Sequence, residues 1–255
     1  MPPVALTIAG SDPSGGAGIS ADLRTFQRCG VYGASVVTLV TAQNSSRFEA
    51  VQVLRPALVL AELDAVLEEL PVAAAKTGAL GSAEIVRAVA RRLQRVRFPL
   101  VVDPVMAASR GGLLLDEAAR RALAELLLPR ASVVTPNLYE AALLAGMTAV
   151  EDVFAMEEAA RRIAELGPQA VLVKGGHLSG DAVDVLFWKG QTRRFAAPRI
   201  GRPAHGAGCT YSAAITAELA KGRALEEAVD LAKRRVTAAF ASRSSTSGPS
   251  ILLLD

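Results

Sequence analysis

A chain of 255 residues, 51% hydrophobic and 21% charged, is long enough for one α/β domain and too apolar to stay open, which excludes disorder, collagen-like repetition and low-complexity linkers. The net charge of +3 is small, and the arginine pairs Arg91-Arg92, Arg120-Arg121, Arg161-Arg162 and Arg234-Arg235 lie beside alanine and leucine with no interleaved aromatics, so no nucleic-acid partner is expected. Two cysteines, Cys29 and Cys209, support neither a disulfide framework nor a cysteine-built metal site. The opening run has no basic leader, and no stretch approaches the ~20 apolar residues that cross a bilayer, so the expectation is a cytoplasmic chain with no membrane partner.

In chain order, short runs rich in Val, Ile and Leu read as strands: VALTIAG (4–10), SVVTLVTA (35–42), VAAAKTG (72–78), PLVVDPV (99–105), ASVVTPN (131–137) and AVLVKGG (170–176). Between them the apolar spacing is helical, as in Val59-Leu63-Val66-Leu70, Val86-Val89-Leu93-Val96 and Met156-Ala160-Ile163, and again in Leu225-Val229-Ala232-Val236-Phe240 near the end. This alternation predicts βαβ units and a mainly parallel sheet covered on both faces. The pair VDVLFWKG (183–190) and QTRRFAAPRI (191–200), joined by Lys-Gly without a helix, predicts an antiparallel hairpin at one sheet edge. No composition shift, linker or repeat divides the chain, so residues 1–255 are read as one domain.

In such a sheet ligands bind beyond the carboxyl ends of the strands. All six ends are dense in Gly, Asp, Asn, Lys or Ser, and Asp103, Glu140 and Lys174 all emerge there. Turn chemistry accounts for the glycines and asparagines but not for those three charges. Gly15, Gly16 and Gly18 in the opening loop match neither the P-loop nor the dinucleotide fingerprint. Asp22 in the following helix suits the helix dipole as readily as a ligand.

The second glycine-rich element, HGAGCTYSAAITAELAKG (205–222), passes from small residues into an alanine-rich helix, so the amides of Gly206, Ala207, Gly208 and Cys209 would crown a helix start and hold an anion. Cys209 in the first turn is then expected to have its thiol pKa lowered below ~8.5 by the helix dipole. Asn137 and Glu140 suit a hydrated Mg²⁺, or equally a helix cap. Lys174, one of only five lysines, precedes Gly175-Gly176 and can reach phosphate as a point charge. His177 and His205 lack a third partner at metal-ligand spacing. An anion-holding helix start, a metal carboxylate, a phosphate lysine and a group placed to accept a hydroxyl proton together describe phosphoryl transfer.

The segments TIAGSDPSGGAGISADL, VTAQNS, DPVM, TPNLYEA, VKGGH and HGAGCTYSAAI resemble, in order and spacing, the hydroxymethylpyrimidine and phosphomethylpyrimidine kinases of thiamine biosynthesis, which belong to the ribokinase-like superfamily. The resemblance implies a ribokinase-like three-layer α/β/α fold and an ATP- and Mg²⁺-dependent kinase, a homodimer, that phosphorylates a hydroxymethyl aminopyrimidine and then its monophosphate. It implies pyrimidine contacts from Gly10, Asp22 and Gln43, with Asp103, Asn137 and Glu140 serving Mg²⁺ and the ATP phosphates and Lys174 also on phosphate. Residues 206–209 would be the anion hole and Cys209 the catalytic base. Two positions depart from the pattern: Ala207 replaces a threonine of the loop, and Ala79 stands where a methionine commonly faces the pyrimidine, leaving a roomier pocket. The competing expectations are a pyridoxal or pyridoxine kinase and a non-catalytic pyrimidine sensor.

Overall fold

The computed structural model describes every residue except 45, 109–110, 177, 179, 201–203, 243–250 and 255. Its strands are β1 (Val4–Ser11), β2 (Tyr32–Gln43), β3 (Phe48–Val53), β4 (Val72–Thr77), β5 (Leu100–Val102), β6 (Val133–Val134), β7 (Ala170–Val173), β8 (Ala182–Trp188) and β9 (Gln191–Ala197). They form one nine-stranded sheet in the order β3-β2-β1-β4-β5-β6-β7-β8-β9. From β2 to β7 the neighbours run parallel, and β8 and β9 close one edge as the antiparallel hairpin expected from the sequence. The other edge is also antiparallel, because β3 returns against β2. That strand escapes a reading by alternation, since most of FEAVQV is exposed and shows no buried face.

The helices are α1 (Gly18–Arg28), α2 (Pro56–Glu69), α3 (Ala83–Leu93), α4 (Glu117–Ala122), α5 (Leu138–Ala145), α6 (Val153–Ala164), α7 (Ala207–Ala220) and α8 (Leu225–Ser242). Successive strand residues point to opposite faces, and this period of two divides the core. Leu6, Ile8, Ala75, Val102, Val134, Val171 and Val173 face a layer containing Val59 and Leu63 of α2, Val86 and Val89 of α3, Ala141 of α5 and Met156 and Ile163 of α6. Ala5, Ala74, Val101, Val133, Ala170 and Leu172 face Phe26 of α1, Ala213, Ala214 and Ala217 of α7 and Val229 of α8. From Thr210 to Ala220 every residue of α7 is buried, because alanine on all sides lets other elements approach from every direction. Among the described residues no helix is long and apolar enough to cross a membrane.

Candidate active site

The chain runs outward from β1 in one direction through β2 and β3, and in the other through β4 to β9, so the sheet reverses its order at β1. A cavity of about 500 Å³ opens along the carboxyl ends of the strands around that reversal, where doubly wound sheets characteristically bind ligands. Gly10, Gln43 and Ala79 reach it from the ends of β1, β2 and β4, and Asp103, Asn137, Glu140 and Lys174 from the ends of β5, β6 and β7. The amino end of α7 adds Gly206, Ala207, Gly208 and Cys209, and α1 adds Asp22. Every site residue expected from the sequence lines this one cavity; His177 lies outside the described residues. Strand order arranges them, with Gly10, Gln43 and Ala79 on the β1–β2–β4 side and Asp103, Asn137, Glu140 and Lys174 on the β5–β6–β7 side.

Two glycine-rich turns meet between these sides. Asp12 collects the turn after β1: its oxygens accept from the Ser14 amide and hydroxyl and from the Ala17 amide, and His205 Nε2 donates to its Oδ2 at 2.8 Å. Burial alone would raise the Asp12 carboxyl, but the hydrogen bonds from His205, Ser14 and Ala17 outweigh it and hold the group below its ordinary value. Gly206 has φ 75°, and a Cβ there would overlap the Gly16 carbonyl, so this approach of turn to turn requires glycine. Sequence reasoning set His205 aside as a metal ligand and passed over Asp12. Their signal is local to neither turn, since 193 residues separate them.

On the charged side, Lys174 Nζ donates to Asp103 Oδ1 at 2.9 Å, Ser212 Oγ to Asp103 Oδ2 at 2.8 Å and Thr135 Oγ1 to Oδ1 at 3.3 Å. A Cβ on Gly208 would stand 3.3 Å from Lys174 Nζ, so the lysine lies directly against the amides at the start of α7. Asn137 and Glu140 form a reciprocal cap on α5, the Glu140 amide donating to Asn137 Oδ1 at 2.9 Å and the Asn137 amide to Glu140 Oε2 at 2.8 Å. Burial pushes the Glu140 carboxyl up to about 7, with Asp103 adding to the rise and Lys174 and two backbone amides opposing it. Two neighbouring carboxylates that repel each other are hard oxygen donors of the kind a hydrated divalent cation relieves. Among the described residues no three His, Cys, Asp or Glu side chains gather as a metal cage. A cation here would therefore be held by one or two carboxylates, with water and phosphate completing its shell.

Asp22 differs from its sequence reading. It is fully buried, and both its oxygens are occupied: Lys76 Nζ donates to each at 2.8 Å and Thr7 Oγ1 to Oδ2 at 2.7 Å. Thr7 and Lys76 are register partners on β1 and β4, both on the face toward α1 and α7, which brings Asp22 down onto them. Burial lifts the Asp22 carboxyl against the pull of Lys76 and Thr7. Burial would strip Lys76 of its proton, but Asp22, then Cys209 and Asp103, hold the ammonium above its ordinary value. With three donors on its two oxygens, we read the pair as ionised. Lys76 was missed as a site residue, although a lysine within the apolar run VAAAKTG was a visible signal. Gln43 is less committed, its Nε2 donating to Thr41 Oγ1 at 2.9 Å.

The Cys209 thiol is the clearest correction. Burial pushes it up to about 11, with Asp22 and Asp103 adding to the rise, while Lys76 and the Gly18 amide pull it down. The helix start was expected to lower it below ~8.5, but desolvation of a thiolate exceeds what one helix terminus supplies.

The family model for phosphomethylpyrimidine kinase matches residues 12–251. The chain belongs to the phosphomethylpyrimidine kinase family. It is 49% identical over 246 residues to the hydroxymethylpyrimidine/phosphomethylpyrimidine kinase of Synechococcus elongatus, covering 93% of this chain and 91% of that protein. It is 48% identical to the thiamine biosynthesis bifunctional protein ThiED of Geobacter sulfurreducens, covering 92% of this chain but only 48% of that protein, so it spans about half of that relative's length. Among solved structures it superposes on an ADP complex of Bacillus subtilis pyridoxal kinase with a TM-score of 0.90 and 39% identity, covering 100% of this chain and 97% of that one. The ribokinase-like architecture of this kinase family is the three-layer fold seen here, with the second antiparallel edge as its one addition to the expectation.

Proposed function

We propose that this chain transfers phosphate from ATP first to the hydroxymethyl group of hydroxymethylpyrimidine and then to the resulting monophosphate, the kinase reactions of thiamine diphosphate biosynthesis. The observation that carries the reading is the division of one cavity by strand order: an acceptor side at β1, β2 and β4, a phosphate side at β5, β6 and β7, and the α7 amides with Cys209 between them. Family membership supports the same reaction. The acceptor would lie against Gly10, Ala79 and Gln43, whose amide can donate to and accept from an aminopyrimidine edge. The ATP phosphates would meet Lys174 and the amides of residues 206–209. Asp103 and Glu140, with Asn137 holding Glu140 in place, would carry Mg²⁺, whose contribution is charge neutralisation on the phosphates.

In the first transfer the acceptor hydroxyl oxygen bonds to the γ-phosphorus, the bond from that phosphorus to its bridging oxygen breaks, and ADP leaves. The Cys209 thiol would first release its own proton to solvent in the open cavity, and the hydroxyl proton would then pass to the thiolate, restoring the thiol. We place this activity in the cytoplasm, in a homodimer of single kinase domains spanning residues 1–255. The whole chain's superposition on a pyridoxal kinase, with Ala79 widening the acceptor side, favours pyridoxal as a second acceptor. Purified protein assayed with ATP and Mg²⁺ against hydroxymethylpyrimidine, its monophosphate and pyridoxal tests both readings. Turnover of both pyrimidines ahead of pyridoxal is expected; turnover of pyridoxal alone would replace the first reading with the second.

A further inference from the structure

The structure holds a buried charge pair to which the proposed reaction assigns no part. Lys76 and Asp22 are both wholly enclosed, an arrangement that costs several kcal/mol per ion and is not by itself an efficient source of stability. Period-two alternation in β4 places Lys76 on the same face as Ala74, toward α1 and α7. A Cβ on Gly206, the residue before α7, would overlap the Gly16 carbonyl and stand 3.1 Å from Ala17 Cα, so the first turn of α7, which carries Cys209, lies against the start of α1, and Asp22 is in the second turn of that helix. Lys76, Asp22, Gly18 and Cys209 all line the same cavity. Among the described residues Asp22 is the only hydrogen-bond partner of Lys76 Nζ, and it engages two of the ammonium's three donors.

We propose that Lys76 is a positioning residue for the transfer, its ammonium serving as the countercharge that lets the Cys209 thiol ionise, with Asp22 and Thr7 fixing its place and limiting its strength. The proposal rests on Cys209 acting as base. The charged groups around the sulfur come from four elements: Lys76 from β4, Asp22 from α1, Asp103 from the end of β5 and Lys174 from the end of β7. Of these, Asp22 and Asp103 oppose the thiolate, and Lys76 is the first to favour it. The site thereby keeps a neutral thiol at rest, with a cation already placed to receive its charge.

The test reads the sulfur directly. Cysteine labelled with ¹³C at Cβ in a Cys29→Ser background reports thiol ionisation by chemical shift, without substrate or turnover. Asp22→Asn leaves Lys76 unopposed and should move the Cys209 titration down by roughly one pH unit, a tenfold gain in thiolate at fixed pH. Lys76→Met combined with Asp22→Asn removes both charges without stranding either and should move it up, and Lys76→Arg should restore the parent curve. If the folded double variant titrates with or below the parent, Lys76 is structural and the proposal is wrong. Turnover by Cys209→Ala tests the base reading separately, so the two failures are distinguishable.

Discussion

The proposed acceptor side and the proposed phosphate side of the cavity are built on opposite principles. Ala9, Gly10, Gly78 and Ala79 leave space and carry no charge, so a ligand there would be selected by shape and by one amide, Gln43. On the other side Asp103 is paired with Lys174 at 2.9 Å, and at the cavity floor Asp22 of α1 is paired in the same way with Lys76 of β4 at 2.8 Å. The first side can change its ligand by one methyl group at modest cost. The second cannot lose a charge without stranding the partner, which typically costs ~3 to 5 kcal/mol. Evolution of specificity on a fixed chemistry has an obvious place to act, and it is not where the charges are.

The largest expected effect strikes the charged side and separates the two transfers. A hydroxyl must lose its proton to attack, whereas a phosphate monoester with a second pKa of ~6 already offers an anionic oxygen at neutral pH. Cys209→Ala should therefore lose ~10² to 10⁴ in rate with hydroxymethylpyrimidine as acceptor and far less with its monophosphate. In the parent, the first transfer should also climb with pH well past the free-thiol value of ~8.5, since the thiolate is the active form in the proposed transfer and burial raises the thiol to about 11. Equal losses in both transfers would show that Cys209 shapes the phosphate site rather than taking a proton.

The next effect is on stability. Glu140 has a folded pKa near 7 against an ordinary 4.5, so the folded state binds a proton that the unfolded chain has released between those values. Its contribution to stability is present below pH 4.5 and lost as pH rises through 7. Glu140→Gln keeps an acceptor for the Asn137 amide but removes the titration. In metal-free protein the melting temperature of the parent relative to this variant should fall by a few degrees from pH ~5 to pH ~8. A difference that does not change with pH would place the buried proton elsewhere.

The sequence showed the strand ends plainly, because a parallel sheet covered on both faces leaves only its carboxyl edge for polar loops, and all the candidate residues fall on that edge. It also showed the hairpin, where Lys189-Gly190 joins two strand-like runs. It hid β3, whose exposed edge has no alternation to read. It hid the Asp22–Lys76 pair, which depends on the β1–β4 register and joins residues 54 positions apart. The Cys209 thiol went wrong for a related reason: a helix start is visible in sequence, whereas the burial that overrides it is the sum of packing from β4, α1 and α7.

The smallest effect belongs to the acceptor side and sharpens the contrast most directly. Thr38 Oγ1 donates to the Ala79 carbonyl at 2.6 Å and fixes that backbone beside the cavity, so a longer side chain at this position must extend into the cavity or displace the turn. Ala79→Met would add a flexible apolar group against the acceptor ring. Because a single hydrophobic contact discriminates between ligands by ~1 to 3 kcal/mol, kcat/KM for pyridoxal should fall roughly tenfold, while that for the smaller hydroxymethylpyrimidine changes little or improves. The KM for ATP should not move, because Ala79 stands at the end of β4 and the phosphate residues stand at β5 to β7. If both acceptors lose equally, Ala79 only spaces the turn and shape selection lies instead with Leu39, Val105 and Ala107; if ATP binding weakens as well, the two sides of the cavity are not independent.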